Sequence, residues 1–456
     1  MHSTRRRLSQ EPLEARTLLS ISPNLIDLDS AGYSAPSDFV QVGEMCYFTA
    51  ETTDYGRELW ATDGTEAGTH LVKDINAGTD SAGPSELVEF NGKLYFTAND
   101  GTNGVELWMT DGTEAGTVMV ADIYNDGTNS SSPSGLTVVG DTLYFQAADA
   151  EHGIELWKSD GTAAGTALVK DIYTGATSSS PIGLTDVDGT LFFVAEDGTN
   201  GLELWTSDGT ASGTVLVTDI NDGSADAFSA SGVALAAVDD TLFFVADDGD
   251  HGYELWTSDG TASGTAMVKD IHSGSDDAFT ASSIHLVAMD GVLYFGANDG
   301  TSGDELWRSD GTDSGTYLLK DINEGSDGDL SSYTDFTVAN GALYFSADDG
   351  THGKELWVTD GTEAGTVLIK DIQSGSDPSY PYFMTVVDGS VYFSAYTDDY
   401  GRELWTTDGT EAGTVMVADT ILGEIGNDTN SLHVVGDYLV FSGYVNTGYE
   451  LYSIDL

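Results

Sequence analysis

Residues 136–172 read LTVVGDTLYFQAADAEHGIELWKSDGTAAGTALVKDI, and this stretch contains the pattern that decides the fold. Four short runs rich in Val, Leu, Ile and aromatic residues alternate with Gly and Asp clusters, which favour turns. These runs predict four strands, A to D, at residues 136–139, 142–147, 154–159 and 166–172. Because no segment shows the 3.6-residue spacing of a helix, the sequence predicts an all-β protein.

The tripeptide Glu-Leu-Trp inside this stretch recurs along the chain and uses all 8 tryptophans. They are Trp60, Trp108, Trp157, Trp205, Trp256, Trp307, Trp357 and Trp405. A ninth copy reads Glu450-Leu451-Tyr452, and successive copies lie 47 to 51 residues apart. This period is typical of β-propeller blades. The repeats therefore predict a single propeller rather than the three or so domains that 456 residues would otherwise suggest.

The tripeptide is followed by two variable residues and then by Asp-Gly-Thr, as at residues 160–162. The whole pattern, Glu-Leu-Trp-x-x-Asp-Gly-Thr, resembles the ELW-x-x-DGT repeat family of bacterial extracellular proteins. The resemblance covers roughly residues 38–420, and a degenerate ninth unit follows. It implies an extracellular repeat protein and assigns no activity.

The connection between strands C and D is the most regular part of the unit, as residues 408–414 show. It reads Asp-Gly-Thr, one variable residue, Ala or Ser, and then Gly-Thr. Two glycines at fixed places predict positive φ at both, and an Asp before a Gly can accept a hydrogen bond from its own turn. We interpret this connection as turn chemistry rather than as a repeated acidic site.

The two ends of the repeat region complement each other. The last unit supplies strands A, B and C at residues 432–435, 438–442 and 449–455 but no strand D, whereas residues 24–29, NLIDLD, resemble a strand D. We therefore expect an N-terminal strand to complete the C-terminal blade and to close residues 21–456 into one propeller of four-stranded blades. Nine blades are expected, and the alternative is eight closed blades with one unit outside the ring.

Residues 1–20, MHSTRRRLSQEPLEARTLLS, form a separate N-terminal segment with a basic start and no long apolar stretch. Within it, residues 12–20 resemble the LEPR-x-LL motif that opens many large extracellular proteins of planctomycete bacteria, with Ala15 where that motif has proline. The resemblance implies export, and hence an extracellular or cell-surface location. A disordered tail is the alternative.

The charge balance excludes several classes of partner. Acidic residues outnumber basic ones by 76 to 15, a formal charge of −61. Such a surface repels phosphate backbones and anionic lipids, so we expect neither nucleic acid nor a membrane surface as a partner. No apolar run is long enough to span a bilayer. Cys46 is the single cysteine, which excludes a disulfide framework and predicts a core residue.

Two repeated polar positions are interpreted as structural. The Glu of the tripeptide occurs in all nine units, so it is read as a link between neighbouring blades, with hydrogen-bond donors from the Asp-Gly-Thr turn, and not as a catalytic acid. His152, His251 and His352 precede the Gly that starts strand C, where other units have Tyr, Asn or Ser. We interpret them as turn residues rather than metal ligands.

One group of carboxylates is a candidate calcium site. Asp247, Asp248 and Asp250 on a B–C loop share a face of the propeller with Asp276 and Asp277 in the next D–A loop. Calcium takes about six to eight oxygen ligands, and this spacing does not follow an EF-hand. Diffuse screening by ions is therefore preferred to a defined site, and no other cofactor is expected.

The D–A loops vary in length between units, as a comparison of residues 173–182 with 221–232 shows. Variable loops on a rigid scaffold often carry binding. Their aromatic residues are candidate positions for stacking on sugars, with packing of the loop itself as the commoner role of such residues; they are Tyr124, Tyr173, Phe228, Phe279, Tyr333, Tyr380 and Tyr382.

The leading hypothesis is a non-enzymatic, monomeric binding or scaffold propeller whose loop face meets a polysaccharide, a cell-wall component or an extracellular protein. One alternative is a propeller hydrolase or lyase that acts on polysaccharide. Another is a cation-binding element of a surface coat. An enzyme would need irregular residues clustered near the central channel.

Overall fold

The computed structural model describes residues 23–30, 32–125, 127, 129–230, 232–280, 284–325, 328, 330, 335–418, 432–445 and 448–456. The expected N-terminal segment 1–20 lies outside these ranges. Within them the regular elements are strands, which form nine antiparallel four-stranded sheets. The predicted all-β propeller of nine blades is confirmed, and the eight-blade alternative is wrong.

No helix in the described ranges is long and apolar enough to cross a membrane.

The strands are numbered in chain order and grouped here by their place in the blade. Strands A of blades 1 to 9 are β2 (Ser37–Val42), β6 (Ser85–Phe90), β10 (Ser134–Val139), β14 (Ile182–Val187), β18 (Leu235–Val238), β22 (Leu286–Met289), β26 (Thr337–Ala339), β30 (Tyr382–Val387) and β34 (Leu432–Val435). Strands B are β3 (Met45–Thr52), β7 (Lys93–Asn99), β11 (Thr142–Asp149), β15 (Thr190–Glu196), β19 (Thr241–Asp247), β23 (Val292–Asn298), β27 (Ala342–Asp348), β31 (Ser390–Thr397) and β35 (Tyr438–Val445).

The outer half of each blade follows the same order. Strands C are β4 (Gly56–Thr62), β8 (Val105–Thr110), β12 (Gly153–Ser159), β16 (Leu202–Ser207), β20 (Tyr253–Ser258), β24 (Asp304–Ser309), β28 (Lys354–Thr359), β32 (Gly401–Thr407) and β36 (Gly448–Asp455). Strands D are β5 (His70–Lys73), β9 (Val118–Ala121), β13 (Ala167–Lys170), β17 (Val215–Leu216), β21 (Ala266–Lys269), β25 (Tyr317–Lys320), β29 (Val367–Lys370), β33 (Val415–Ala418) and β1 (Asn24–Ile26).

Strand A lies on the inside of the ring, because the strands A of neighbouring blades contact one another. Strand D therefore lies on the outside. Connections alternate between the two faces of a propeller, so the B–C and D–A loops share one face, called here the loop face. The regular C–D turns lie on the opposite face.

A separate hydrophobic core fills each of the nine interfaces between neighbouring blades, and the ninth core joins blade 9 to blade 1. The Glu-Leu-Trp tripeptide serves two of these cores at once. In blade 1, Leu59 packs toward blade 2 while Trp60 packs toward blade 9. This is the strand alternation expected from the sequence. Cys46 is buried in the same core as Trp60, as predicted.

The ring closes through the predicted composite blade. β1 pairs in antiparallel register with β36, with Leu25 opposite Tyr452 and Ile26 opposite Leu451. The side chain of Ile26 is 1% exposed and lies in the core between blades 9 and 1. A second contact crosses the same seam, since Ser34 Oγ donates a 2.7 Å hydrogen bond to Glu450 Oε2.

The Asp-Gly-Thr turns agree with only part of the sequence interpretation. In blade 4, Thr210 N donates to Asp208 Oδ1 at 2.9 Å, which is the expected bond of the Asp to its own turn. The first glycine, Gly209, has φ +79°, and a Cβ there would meet the hydroxyl of Tyr144 from the preceding blade. Gly213 does not have positive φ, so that expectation is wrong. A Cβ at Gly213 would instead overlap the Asp208 carboxylate.

Because of this contact with Tyr144, we expect Gly209→Ala to destabilise the fold more than a Gly→Ala substitution that strains the backbone but meets no neighbouring atom. Gly223 is a matched control, because its φ is +94° and no atom lies within 4 Å of an added Cβ. We expect Gly223→Ala to cost about 1–2 kcal/mol and Gly209→Ala about 1–3 kcal/mol more. Urea unfolding of the two variants measures both costs. Equal losses would show that Tyr144 does not restrict this position.

Candidate functional site

The repeated glutamate lies beneath the D–A loop of its own unit. In blade 1, Glu58 Oε2 accepts a hydrogen bond from Ile75 N at 3.1 Å, and Glu58 Oε1 accepts from Asn76 N at 3.2 Å and from Ala82 N at 3.1 Å. These donors belong to the loop that crosses to blade 2. The structural role therefore agrees with the contacts, but the expectation that the Asp-Gly-Thr turn supplies the donors is wrong.

Burial changes the acidity of these glutamates. Loss of hydration raises the pKa of Glu203 to about 8, and the hydrogen bonds from Ile220 N and Asn221 N lower it only in part. The same cause raises the pKa of Glu58 and Glu254 to about 7. Carboxyls that are repeated around the ring and bonded to loop backbone match the structural role that the sequence predicts for them.

These shifts predict that stability falls as pH rises from about 5.5 to about 8.5. An unfolded glutamate loses its proton near its ordinary pKa of 4.5, whereas folded Glu203 retains it up to about 8. The folded state thus binds more protons between these values, and this contribution to stability is lost as pH rises through the folded pKa. Thermal melts in high salt, which screens the general repulsion, measure the effect. Glu203→Gln should reduce the slope, and a higher melting temperature at pH 8.5 would contradict the prediction.

The three histidines occupy the B–C turns, as the sequence interpretation holds. His152 Nδ1 lies 2.8 Å from Asp149 Oδ2, and this hydrogen bond raises the pKa of His152. In blade 2, Asn103 takes the same place and donates from Nδ2 to Asp100 Oδ2 at 2.8 Å. An amide and an imidazole that make the same turn contact are interchangeable turn residues.

Two of the five candidate calcium ligands, Asp247 and Asp248, accept hydrogen bonds from backbone N–H groups of their own B–C loop. Asp248 Oδ1 accepts hydrogen bonds from Asp250 N and His251 N, both at 3.0 Å. Asp247 Oδ1 accepts one from Gly249 N at 2.7 Å.

Three candidates remain. Asp250 is exposed, and its backbone N–H is one of the donors to Asp248. Asp277 Oδ1 accepts a hydrogen bond from Tyr253 N at 3.0 Å, and Asp276 Oδ2 lies 3.9 Å from His272 Nε2. Across the part of the chain that the structure describes, no group of three or more His, Cys, Asp or Glu side chains has an arrangement that could hold a metal ion.

We expect salt to stabilise the protein through diffuse screening, because a charge of −61 on one body repels itself. Calcium chloride at about 1 mM should then raise the melting temperature no more than sodium chloride of equal ionic strength. A defined site would instead add roughly 2.7 kcal/mol at a hundredfold excess over its dissociation constant. A calcium-specific increase that disappears in Asp248→Asn would contradict this expectation.

The candidate sugar-stacking residues divide into buried and accessible ones. Phe228 and Phe279 are 1% and 2% exposed, and they anchor the longer D–A loops in the cores between blades. The expectation that they are available to a ligand is therefore wrong. Tyr124 and Tyr173 are half-buried. Tyr333 lies outside the described residues.

Tyr380 and Tyr382 form an accessible aromatic pair on blade 8. Their rings stack with centroids 6.0 Å apart and planes 17° from parallel, and Tyr380 is 42% exposed. The Arg402 guanidinium lies 5.3 Å from the Tyr382 ring centroid, and Arg402 Nη1 donates to Tyr380 O at 2.9 Å. Arg402 thus contacts the ring of Tyr382 and the backbone of Tyr380.

This pair belongs to a larger group, called here the tyrosine sector. Of the six tyrosines that are exposed in the described ranges, five lie on the loop face of blades 8, 9 and 1. They are Tyr33, Tyr55, Tyr380, Tyr396 and Tyr400. The sixth, Tyr317, lies on the outer strand β25 of blade 6.

Sequence reasoning missed four members of the sector, although a signal was present for two. Units 1 and 8 have Tyr-Gly-Arg at residues 55–57 and 400–402, where the other full units have Asn, Ser or His before the Gly. Tyr33 carries no such signal. Its position follows from ring closure, since its ring packs against Gly448 of blade 9.

A cleft of about 340 Å³ adjoins Tyr400 and is called here the blade 8 cleft. Its lining includes Gln373, Ser374, Asp398 and Asp399, which offer hydrogen-bond donors and acceptors beside an exposed aromatic ring. The Tyr396 hydroxyl lies 3.4 Å from Asp398 Oδ1 at the same place. Aromatic faces and polar groups thus occur together at this edge of the tyrosine sector.

A second cavity, of about 510 Å³, lies at the loop-face end of the central channel and is called here the channel cavity. It is bounded by the starts of strands A in blades 4 to 8, at residues 183–185, 233–235, 284–287, 335–337 and 383–384. The side chains there differ from blade to blade, so this is where the repeat is least regular.

The cavity exists because three neighbouring blades begin strand A late. In blades 1 to 4 and 8, a proline precedes strand A and the strand begins with a bulge, as at Pro181 and Gly183 in blade 4. Blades 5 to 7 have longer D–A loops, and their strands β18, β22 and β26 contain 4, 4 and 3 residues against 6 in β14. The shorter strands leave space at the mouth of the channel.

Two residues at the wall of this cavity are bonded to each other. Phe383 has φ +58°, the left-handed conformation that the bulge at the start of strand A also gives Asp38 and Glu86 in blades 1 and 2. Its N–H donates a 2.6 Å hydrogen bond to Asp335 Oδ2 of the preceding blade. Burial raises the pKa of Asp335, and the nearby imidazole of His285 lowers it in part.

Comparison with family models finds none that matches this chain, and comparison with curated proteins finds none either. Among solved structures it is similar to a puromycin hydrolase, with 14% identity and a TM-score of 0.41 over 79% of this chain and 58% of that one. It is also similar to a puromycin-hydrolyzing peptidase of Mycobacterium tuberculosis, with 10% identity, a TM-score of 0.40, and coverage of 83% and 61%.

A third similar structure is the β-propeller domain of the Trilobed protease from Pyrococcus furiosus, with 14% identity, a TM-score of 0.32, and coverage of 85% of this chain and 99% of that one. This chain spans less than two thirds of the two hydrolases. Similarities at this level carry no inference about activity.

Proposed function

We propose that the protein is a non-enzymatic, extracellular, monomeric propeller that binds a neutral polysaccharide on its tyrosine sector. The observation that carries this proposal is the gathering of five exposed tyrosines on one face of three adjacent blades. Elsewhere in the described ranges only one tyrosine is exposed.

The chemistry of the sector fits a sugar chain. A tyrosine ring offers a flat apolar face and a hydroxyl, and it loses little conformational freedom on binding. Asp398 and Gln373 in the blade 8 cleft can accept or donate hydrogen bonds to sugar hydroxyls. The formal charge of −61 disfavours an acidic polysaccharide. A neutral glycan is therefore the occupant that the sector accommodates best.

The same geometry favours binding over cleavage. A glycosidase uses two carboxyls that flank the bond, and the general acid is shielded from water so that it stays protonated near neutral pH. Asp398 and Asp399 are both exposed. Among the described residues the fully buried carboxyls are the repeated glutamates, which are bonded to loop backbone. Burial also raises the pKa of Asp335, but it is the single carboxyl among the described residues that line the channel cavity, so no second carboxyl accompanies it there.

The test is isothermal titration against soluble neutral glucans, mannans and xylans. We expect Tyr380→Ala combined with Tyr400→Ala to weaken binding by about tenfold or more, as loss of aromatic contacts at a binding surface does. Tyr317→Ala is the matched control, because Tyr317 is 44% exposed but lies outside the sector. Its affinity should equal that of the unmodified protein.

Two outcomes would overturn the proposal. If no neutral glycan binds, or if Tyr317→Ala weakens binding as much as the double variant, the tyrosine sector is not the site. Reducing ends are measured in the same samples. Their steady release by the unmodified protein would favour the hydrolase alternative.

A further inference from the structure

Blades 1 and 8 share a B–C turn that differs from the turn of blades 2 to 7. Residues 52–57 read TTDYGR in blade 1, and residues 397–402 read TDDYGR in blade 8. In blades 2 to 7 the turn begins with Asp, and Asn, His or Ser precedes the Gly, as at residues 100–104. The two shared turns, called here platform 1 and platform 8, each contribute one exposed ring to the tyrosine sector, Tyr55 and Tyr400.

The change of the first turn residue explains why these rings are accessible. In blade 2, Asp100 accepts hydrogen bonds from the backbone N–H and from the side chain of Asn103, which holds Asn103 against its own turn. Thr52 and Thr397 stand in place of this Asp, and their hydroxyls are buried and make no hydrogen bond. The platforms therefore lack the acceptor that ties down the side chain before the Gly.

An arginine fixes each platform to the D–A loop that enters its blade. Arg57 Nη2 donates to Ala35 O at 2.9 Å, and Arg402 Nη1 donates to Tyr380 O at 2.9 Å. In both blades this carbonyl belongs to the residue before the proline that precedes strand A or lies next to its start. Each arginine also donates to a hydroxyl on strand B of its own blade, Thr49 Oγ1 or Ser394 Oγ.

A second hydrogen bond joins each platform to the same loop. Thr53 N donates to Asp29 Oδ2 at 2.6 Å in blade 1, and Asp398 N donates to Gln373 Oε1 at 2.9 Å in blade 8. Each turn is thus held at two points. A rigid support lowers the entropy that is lost when a ligand binds, so the two platforms are equally well prepared for binding.

Blade 9 lies between the two platforms. It shares one core with blade 8 and another with blade 1, and all B–C turns lie on the loop face. Because sheets packed face to face lie about 10 Å apart, platforms that are two blades apart are separated by at least about 20 Å. A trisaccharide is shorter than this span, whereas a polysaccharide covers it. The exposed ring of Tyr33, in the loop from blade 9 to blade 1, lies along the way.

We propose that the tyrosine sector contains two equivalent glycan subsites, one on each platform, and that a single polysaccharide chain occupies both by crossing blade 9. This inference rests on the proposed glycan-binding function and specifies its substrate, which is the interior of a long neutral chain rather than a short oligosaccharide. Once one platform has bound, binding to the other is intramolecular, and this raises the affinity for the polymer without any further contact.

Isothermal titration tests the proposal with cellotriose, mannotriose and xylotriose, each beside a soluble glucan, mannan or xylan of the same sugar. We expect the polymer to bind at least about tenfold more tightly than its trisaccharide. Tyr55→Ala and Tyr400→Ala, made singly, should each lower the polymer affinity by about tenfold or more, because one platform is then left. Both variants are titrated with the same polymer, so the statistical advantage of a long chain cancels.

The trisaccharide separates two subsites from one. Each single variant should still bind it with an affinity within about twofold of that of the unmodified protein, because the other platform is intact. Ser302→Ala is the matched control, since Ser302 occupies the position of Tyr55 and Tyr400 in the turn of blade 6. It should leave the affinity for the polymer and for the trisaccharide unchanged.

The outcomes distinguish failure of the two subsites from failure of glycan binding. A single variant that leaves the polymer affinity unchanged, or one that abolishes trisaccharide binding, would overturn the two subsites while glycan binding itself stands. Equal affinity for polymer and trisaccharide, or an equal loss in Ser302→Ala, would do the same. If none of these glycans binds the unmodified protein, the glycan-binding function is wrong and the two subsites are wrong with it.

Discussion

Removal of residues 1–29 should lower the melting temperature far more than removal of residues 1–20. The longer truncation deletes β1 and leaves one edge of β36 unpaired. It also removes Ile26 from the core between blades 9 and 1, a loss of about 1.5–3 kcal/mol for one fully buried side chain. Each lost strand hydrogen bond adds about 0.5–1.5 kcal/mol. Differential scanning calorimetry of both truncations measures the difference.

Single substitutions in the full chain distinguish the loss of contacts at the seam between blades 9 and 1 from a general effect of shortening the chain. Ile26→Ala should destabilise by about 2–5 kcal/mol, because Ile26 is 1% exposed. Leu25→Ala should have little effect, because Leu25 is 47% exposed. Equal melting of the two truncations, or of the two alanine variants, would show that β1 does not secure the ring.

Trp205→Ala should destabilise the fold by about 3–5 kcal/mol, the usual cost of truncating a large aromatic residue in a core. Trp205 is 5% exposed and packs in the interface between blades 3 and 4. Its Nε1 donates to Ala195 O at 3.2 Å. Lys170 of blade 3 lies over the ring, with Nζ 5.4 Å from the centroid, and donates to Thr214 O of blade 4 at 2.7 Å. The substitution removes the core packing, the bond to Ala195 O and the contact of the ring with Lys170. It leaves only the bond from Lys170 to Thr214 O.

Equilibrium urea unfolding measures this cost, with an unchanged m-value as the check that the folded and unfolded states are otherwise comparable. Tyr317→Ala, an exposed aromatic on an outer strand, is the control and should be nearly neutral. Trp256 is half-buried, so Trp256→Ala should cost less than Trp205→Ala. A near-zero effect at Trp205 would mean that the blade interfaces tolerate loss of the repeated tryptophan.

The blades were predictable from the sequence because each unit repeats the same alternation, and alternation determines which side chains are buried. Closure was predictable because the strand missing from the last unit is present at residues 24–26. An Asp-Ile pair does recur at the start of the D–A loop in units 1 to 7, as at residues 74–75. The donor to Glu58 is the backbone N–H of this Ile, and a side-chain pattern does not reveal which backbone groups bind the repeated glutamate.

The candidate sites were predictable only in part, because exposure depends on packing between distant parts of the chain. Phe228 and Tyr380 are both aromatic residues of D–A loops, yet the first is an anchor of its loop and the second is accessible. The tyrosine sector joins Tyr33 and Tyr400 from opposite ends of the chain. The channel cavity results from the late start of three strands, which a one-dimensional pattern does not reveal.

The composite blade also has a consequence for how the protein comes apart. A linear repeat array frays from its ends, since a terminal unit has one neighbour. Here the pairing of β1 with β36 gives every blade two neighbours, so the release of any blade breaks two cores at once. A rare opening of the seam between blades 9 and 1 is then the rate-limiting step of unfolding. The lifetime of the folded state against proteases is therefore governed by the height of that barrier more than by the equilibrium free energy.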